Sequence, residues 1–160
     1  MKNWTFAFLA LLCLGLQFTL PQLWPPLRYV DFFLVLVYHA SIRTSGLNAV
    51  GRGWIAGLGQ DLVLSTYYPL GTQATAKMVV GLLASVTGRL INLEHPGIQT
   101  AFVLLFGCLN NGLVLLLFLI FGQPLPVRNL FPLLLGVIAT AMLNVCIWLV
   151  ASWFRPRRMD

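Results

Sequence analysis

Long apolar runs separated by short polar or proline-bearing breaks set the pattern of this chain. Four runs, Trp4 to Leu20, Thr72 to Leu93, Gly97 to Phe121 and Leu130 to Phe154, have the roughly 17 to 25 residues that a helix needs to cross about 30 Å of hydrocarbon. A fifth apolar stretch, Tyr29 to Tyr68, is interrupted at Arg43-Thr44-Ser45-Gly46 and so predicts two shorter helices. The other breaks carry prolines and glycines: Pro21, Pro25 and Pro26 close the first helix, Tyr68-Pro69-Leu70-Gly71 makes a turn, Glu94-His95-Pro96-Gly97 another, and Gln123-Pro124-Leu125-Pro126 precedes the last run. Short connections make neighbours in sequence neighbours in space. The pattern therefore predicts an all-α integral membrane protein, one domain over 1–160, with six transmembrane helices in one compact bundle at about 4–20, 29–42, 47–64, 72–93, 97–121 and 130–154.

Composition agrees with a lipid solvent. Hydrophobic residues make up 59% of the chain and charged residues 9%, where a soluble domain has about a quarter charged. The acids are Asp31, Asp61, Glu94 and Asp160. Despite a net charge of +6, the basic residues are scattered singly between apolar runs, so no basic stripe for nucleic acid exists. Only Arg155, Arg157 and Arg158 cluster, just past the last run, where a topology signal sits and where anionic lipid or a cytoplasmic filament could be met. Cys13, Cys108 and Cys146 each lie inside an apolar run, with no metal-clip spacing. No small-residue cleavage site follows the first run, which reads as an uncleaved helix.

Orientation follows from the retention of Lys and Arg on the cytoplasmic side. With the N-terminus inside, that side receives Lys2, Arg43, Arg52, Arg89, Arg155, Arg157 and Arg158, against Arg28, Lys77 and Arg128 outside. Both termini are predicted cytoplasmic, with Trp4, Trp24, Trp148 and Trp153 near helix ends as interfacial anchors.

In lipid, helices associate through close van der Waals contact and interhelical hydrogen bonds, so small and polar residues carry the information. Ala49, Gly53, Gly57, Asp61 and Ser65 recur at spacing four on the third helix; Ala74, Gly81 and Gly88 recur at heptad spacing on the fourth; Gly136, Thr140 and Asn144 recur at spacing four on the sixth. These faces are expected to point inward as packing surfaces, or to admit a partner helix, with the third and fourth helices as the expected partner groove. Asp61 is read as a carboxylate near mid-membrane, where ionisable groups are costly and find partners. Lys77 is the nearest cation in topology, so an Asp61–Lys77 ion pair or a hydrogen-bonded neutral Asp61 is expected, with a proton relay or ligand contact, or a place in the outer headgroup region, as the alternatives. Asn110 and Asn111, in the middle of the fifth helix, should face neighbouring helices. His39 and His95 read as interfacial residues on opposite sides, unable to share a metal.

Three function classes make different demands on these residues. Intramembrane aspartyl proteolysis needs two carboxylates sharing a water; beside Asp61 the sole intramembrane candidate is Asp31, near the outer start of the second helix, since Glu94 falls in a loop and Asp160 is the last residue. No H-E-x-x-H, G-x-S-x-G or Walker motif occurs, so zinc, serine and phosphate chemistry lack their parts and no cofactor is implied. A transporter subunit would need a polar cavity, to which Asn110, Asn111, Asn144, Gln60 and Asp61 could contribute. A membrane scaffold needs only packing faces.

The stretch Gly53-Trp54-Ile55-Ala56-Gly57-Leu58-Gly59-Gln60-Asp61-Leu62, followed by Leu70-Gly71, resembles the rod shape-determining MreD family, in which a G-x-x-x-G segment leads into an Asp-Leu pair and a Leu-Gly turn opens a long helix. Chain length and six expected spans are also similar. Where that family often begins its second helix with Arg-Pro-Asp or Arg-Pro-Asn, this chain has Arg28-Tyr29-Val30-Asp31. The resemblance implies a non-catalytic component of the bacterial cell-elongation machinery in the inner membrane, acting with the bitopic periplasmic protein MreC, the MreB filament and the glycosyltransferase/transpeptidase pair of lateral peptidoglycan synthesis. It also implies a helical layout similar to the substrate-binding membrane subunits of energy-coupling-factor vitamin transporters.

Overall fold

A computed structural model describes residues 3–64, 69–91, 95–124 and 131–153. Among them are six α-helices and no strand: α1 (Asn3–Leu23), α2 (Phe32–Ser41), α3 (Gly46–Leu64), α4 (Thr72–Leu90), α5 (Pro96–Ile120) and α6 (Phe131–Trp153), with one 3-10 turn at Pro25–Tyr29 between α1 and α2. Consecutive helices pack against one another throughout.

The helix ends follow local chemistry. Pro21 does not close α1, which runs on to Leu23, because a proline removes only one amide hydrogen bond and the helix ends two residues later. α2 is shorter than the apolar pattern suggested. Pro25 and Pro26 set a 3-10 turn, and the Asp31 side chain then accepts from the amide of Leu34 at 2.8 Å to start the helix at Phe32. Gly71 precedes α4 with φ +96°, a left-handed conformation that suits glycine. α5 opens on Pro96, with His95 Nδ1 accepting from the Gly97 amide. It closes at Gly122 (φ +61°), where the amides of Gly122 and Gln123 return to the carbonyls of Leu119 and Phe118 in a Schellman arrangement.

α2 is the axis of the bundle. It touches all five other helices, and every residue of it except His39 is buried. The other helices stand around it in the order α1, α3, α4, α5, α6; among the described residues α1 and α6 do not pack against each other. Phe33, Val37 and Ala40 of α2 meet Phe6 and Ala56, while Leu34 and Tyr38 meet Val80, Ala84, Val103 and Phe106.

Three helices, α1, α5 and α6, are long and apolar enough to cross a membrane, and they expose most of their apolar windows. Phe8, Leu11, Leu105, Leu119, Leu134 and Met142 are all more than half exposed, which water would penalise and acyl chains would not. Trp4 and Trp153, at opposite ends of their helices, are 88% and 90% exposed, as suits interfacial side chains. α3 and α4 have 19 residues each but carry more glycine and polar groups, and the ten residues of α2 span only about 15 Å. The fold is thus that of a helical membrane protein.

Candidate functional site

The small residues of α3 and α4 meet each other. A Cβ placed on Gly53 would run into the backbone carbonyl of Lys77, one on Gly57 into the Cα of Ala74, and one on Gly81 would lie 2.6 Å from the carbonyl oxygen of Ala49. Ala49, Gly53, Gly57, Ala74 and Gly81 are buried. Gly88, further along α4, would meet the carbonyl of Ile42 in the same way. Backbone therefore rests on backbone along the whole crossing, an approach open only to residues without side-chain bulk. These faces are covered within the chain, so they leave no groove for a second protein on the glycine side of α3 and α4. Ser65 and the cluster Arg155, Arg157, Arg158 lie outside the described residues, as do Glu94 and Arg128.

The expected Asp61–Lys77 pair is not formed. Asp61, fully buried in the last turns of α3, accepts hydrogen bonds from the backbone amides of Gly71 (2.9 Å), Gln73 (3.0 Å) and Ala74 (3.1 Å). It thereby caps the first turn of α4 from the neighbouring helix. Those amides have no partner within α4, and the helix dipole places partial positive charge there, so a carboxylate is stabilised by both effects. Asp61 therefore sits at the α3–α4 turn rather than at mid-bundle.

Lys77 pairs instead with Asp31. Its Nζ lies 2.7 Å from Asp31 Oδ2 and 3.3 Å from Gln73 Oε1, with the lysine side chain fully buried and the aspartate 17% exposed. Asp31 also uses its other oxygen to cap α2, and its amide donates to Thr140 Oγ1 at 2.9 Å. Thr140 lies nine residues beyond Phe131, about 14 Å along α6. The start of α2 is thus deep in the bundle, because the segment from Pro25 to Val30 folds inward; the carbonyl of Tyr29 rests against Gly136 of α6. Sequence reasoning had set Asp31 near the outer start of its helix and so missed it as a partner. The proline pair that turns the chain inward was the available signal.

At the other end of the bundle, Arg52 is buried and donates to the carbonyl of Ala40 (2.7 Å) and to Thr44 Oγ1 (2.9 Å), with its guanidinium 5.6 Å from the centre of the Phe6 ring. Ser85 donates to the carbonyl of Thr44 at 2.7 Å. His39 Nε2 lies 2.8 Å from Asn144 Oδ1, and the Asn144 amide donates to Thr100 Oγ1 at 3.3 Å. His95 stands five residues before Thr100, so the two histidines lie toward the same end of the bundle, not on opposite sides. No cluster of three or more metal-binding side chains occurs among the described residues.

Asn110 is buried at 2% exposure, and Asn111 is half-buried beside it. Both line a cavity of about 30 Å³ with Asp31, Gly107, Gly136 and Thr140. The side-chain oxygens of Asn110 and, elsewhere, of Gln17 and Gln60 have no hydrogen-bond partner among the described residues.

Asp61, Asp31, Lys77, Arg52, His39 and Asn144 are thus directed at helix ends or at other side chains inside the bundle. No known family, curated protein or solved structure matches the chain.

Proposed function

We propose that this chain is a non-catalytic scaffold of the bacterial cell-elongation machinery, an MreD-type protein of the inner membrane. It crosses the bilayer six times with both termini in the cytoplasm. It binds MreC and helps to organise the MreB filament and the glycosyltransferase/transpeptidase pair that inserts lateral peptidoglycan. The observation that carries this reading is the use made of the motif from Gly53 to Gly71. Gly53 and Gly57 allow the α3–α4 crossing, Asp61 caps α4, and Gly71 makes the turn, so these four residues behind the resemblance each have a structural task. A motif of this kind fits a protein whose product is a shape.

Since the glycine faces are covered, MreC's single membrane helix would meet the outer apolar side of the bundle. The six-span topology agrees with the alternating directions implied by the contacts: Arg52, Thr44 and Ser85 share one end, while Asp61 and Gln73 share the other. α3 and α4, though less apolar, cross as a tightly fitted pair with Arg52, Asp61 and Lys77 bonded inside the bundle.

The alternative is a substrate-binding subunit of a vitamin-type transporter. Sites for such ligands occupy about 300–1,000 Å³, so the cavity beside Asn110, at about 30 Å³, is not by itself such a site. Affinity isolation from native membranes in mild detergent, with mass spectrometry of proteins and small molecules, separates the two. Recovery of a bitopic periplasmic partner and wall synthases supports the scaffold; a near-equimolar vitamin-like molecule without such a partner supports the transporter.

A further inference from the structure

We infer that the cavity between α2, α5 and α6 is a binding site for internal water, held by Asn110 and Asp31 and joining α5 to the Asp31–Lys77 ion pair.

Three independent observations meet at this place. The first is an orphaned acceptor: Asn110 is 2% exposed, and its Oδ1 has no partner among the described residues. An amide oxygen buried in a low-dielectric interior is strongly disfavoured unless a donor reaches it. The second is irregular backbone at depth. The chain enters the bundle through the 3-10 turn at Pro25–Tyr29, and Asp31 begins a half-length helix about 14 Å along α6. Non-helical backbone at such depth is tolerated where protein buries it or where it borders water, and Tyr29 and Asp31 both border this cavity. The third is a carboxylate that retains 17% exposure although its cation is fully buried. With one oxygen on Lys77 and the other on the Leu34 amide, it still has lone pairs for a further donor.

Size and chemistry select the occupant. The cavity is a half-open cleft with about 30 Å³ of room, enough for one water molecule or two. The Asn110 oxygen and the Asp31 carboxylate are acceptors, and Thr140 already donates its hydroxyl proton to the Gly136 carbonyl at 2.7 Å. Such a lining calls for a donor. A metal cation is disfavoured by the Lys77 ammonium on the same carboxylate. Water supplies two protons, one for Asn110 and one for Asp31, and accepts from the amide of Asn110 or Asn111.

The site has a consequence for the bundle. α5 makes less extensive contact with α2 than α3 does, and a bridging water would give α5 a polar link to the residue that starts α2 and neutralises Lys77. Loss of the bridge would loosen α5 and α6 from α2 while leaving the α3–α4 crossing intact.

The test compares wild-type protein in lipid nanodiscs with Asn110→Leu and Asn110→Asp by infrared difference spectroscopy in ordinary and heavy-oxygen water, alongside apparent unfolding temperatures. Leucine fills the space and removes the acceptor; aspartate keeps an acceptor. The expected result is an isotope-sensitive water O–H stretch in the wild type that disappears in Asn110→Leu, together with a lower unfolding temperature for Asn110→Leu than for Asn110→Asp. A wild-type spectrum with no isotope-sensitive internal band overturns the inference and is readable even if Asn110→Leu fails to accumulate. So does a band of equal intensity in Asn110→Leu. A rise in unfolding temperature for Asn110→Leu also overturns it, because replacing an acceptor that bonds nothing by a well-fitted apolar group should stabilise. The outcome is independent of any partner, so it stands or falls apart from the scaffold reading.

Discussion

Two neighbouring helix pairs of this bundle, α3–α4 and α5–α6, are held together in different ways. Between α3 and α4, glycine backbone lies on backbone, and a Cβ at Gly53 or Gly57 would collide with main-chain atoms that cannot move aside. Between α5 and α6, a Cβ at Gly107 would meet a Val137 methyl at 3.1 Å, and one at Gly112 would meet nothing within 4 Å. The first pair is the less apolar and the more closely packed; the second is rich in leucine, valine and phenylalanine and faces outward. In lipid, apolar surface gives no net drive for helix association, so the pair with smaller residues and better-placed polar groups is the tighter one. Mean hydropathy identifies the helices that face acyl chains. Small-residue spacing identifies the ones that hold the fold.

That contrast can be broken by substitution. The largest effect is expected from Gly53→Val or Gly57→Val, which should cost more than about 4 kcal/mol and abolish monodisperse protein in size-exclusion chromatography, since the clash is with backbone. Gly112→Ala is the matched control and should leave elution and unfolding temperature unchanged. Next comes Lys77→Met, which leaves the Asp31 carboxylate without its cation inside the bundle; a loss of about 3–5 kcal/mol is expected, seen as a sharp fall in unfolding temperature. Asp61→Leu strands three amides at the start of α4 and should cost about 2 kcal/mol or more, whereas Asp61→Asn keeps an acceptor and should cost about 1 kcal/mol. Equal unfolding temperatures for the two Asp61 variants would contradict the capping role. The smallest effect is expected from Gly107→Ala, within about 1 kcal/mol, because the Val137 methyl can give by a few tenths of an ångström.

How much of this was legible in the chain depended on whether the signal was local. Helix positions were readable from apolar runs and breaks, and the stripe Ala49, Gly53, Gly57 announced a close crossing because the absence of a side chain is a property of the residue itself. The destination of Lys77 was not readable. Its partner Asp31 is 46 residues away and becomes a partner only because Pro25–Tyr29 folds inward, a tertiary event with no periodic signature. The capping by Asp61 was hidden for another reason: its partners are backbone amides, which every residue but proline has. Proximity in topology assigns Asp61 and Lys77 to one another, whereas Asp61 bonds the amides of α4 and Lys77 pairs with Asp31. The break at Arg43-Thr44-Ser45-Gly46 marked α2 as a shorter helix, but its place as the axis of the bundle was not legible, because an apolar segment looks the same whether lipid or other helices surround it.

The central physical claim is that the ionisable groups within this bundle stabilise one another and its helix ends. A double-mutant cycle at Asp31 and Lys77 tests it most directly, using apparent unfolding temperatures of the wild type, Asp31→Asn, Lys77→Met and the double variant in one detergent. The account predicts that Lys77→Met is severely destabilising in the wild type but costs far less once Asp31 is already asparagine. Equal losses in both backgrounds would show that the two residues do not interact, and would contradict the account.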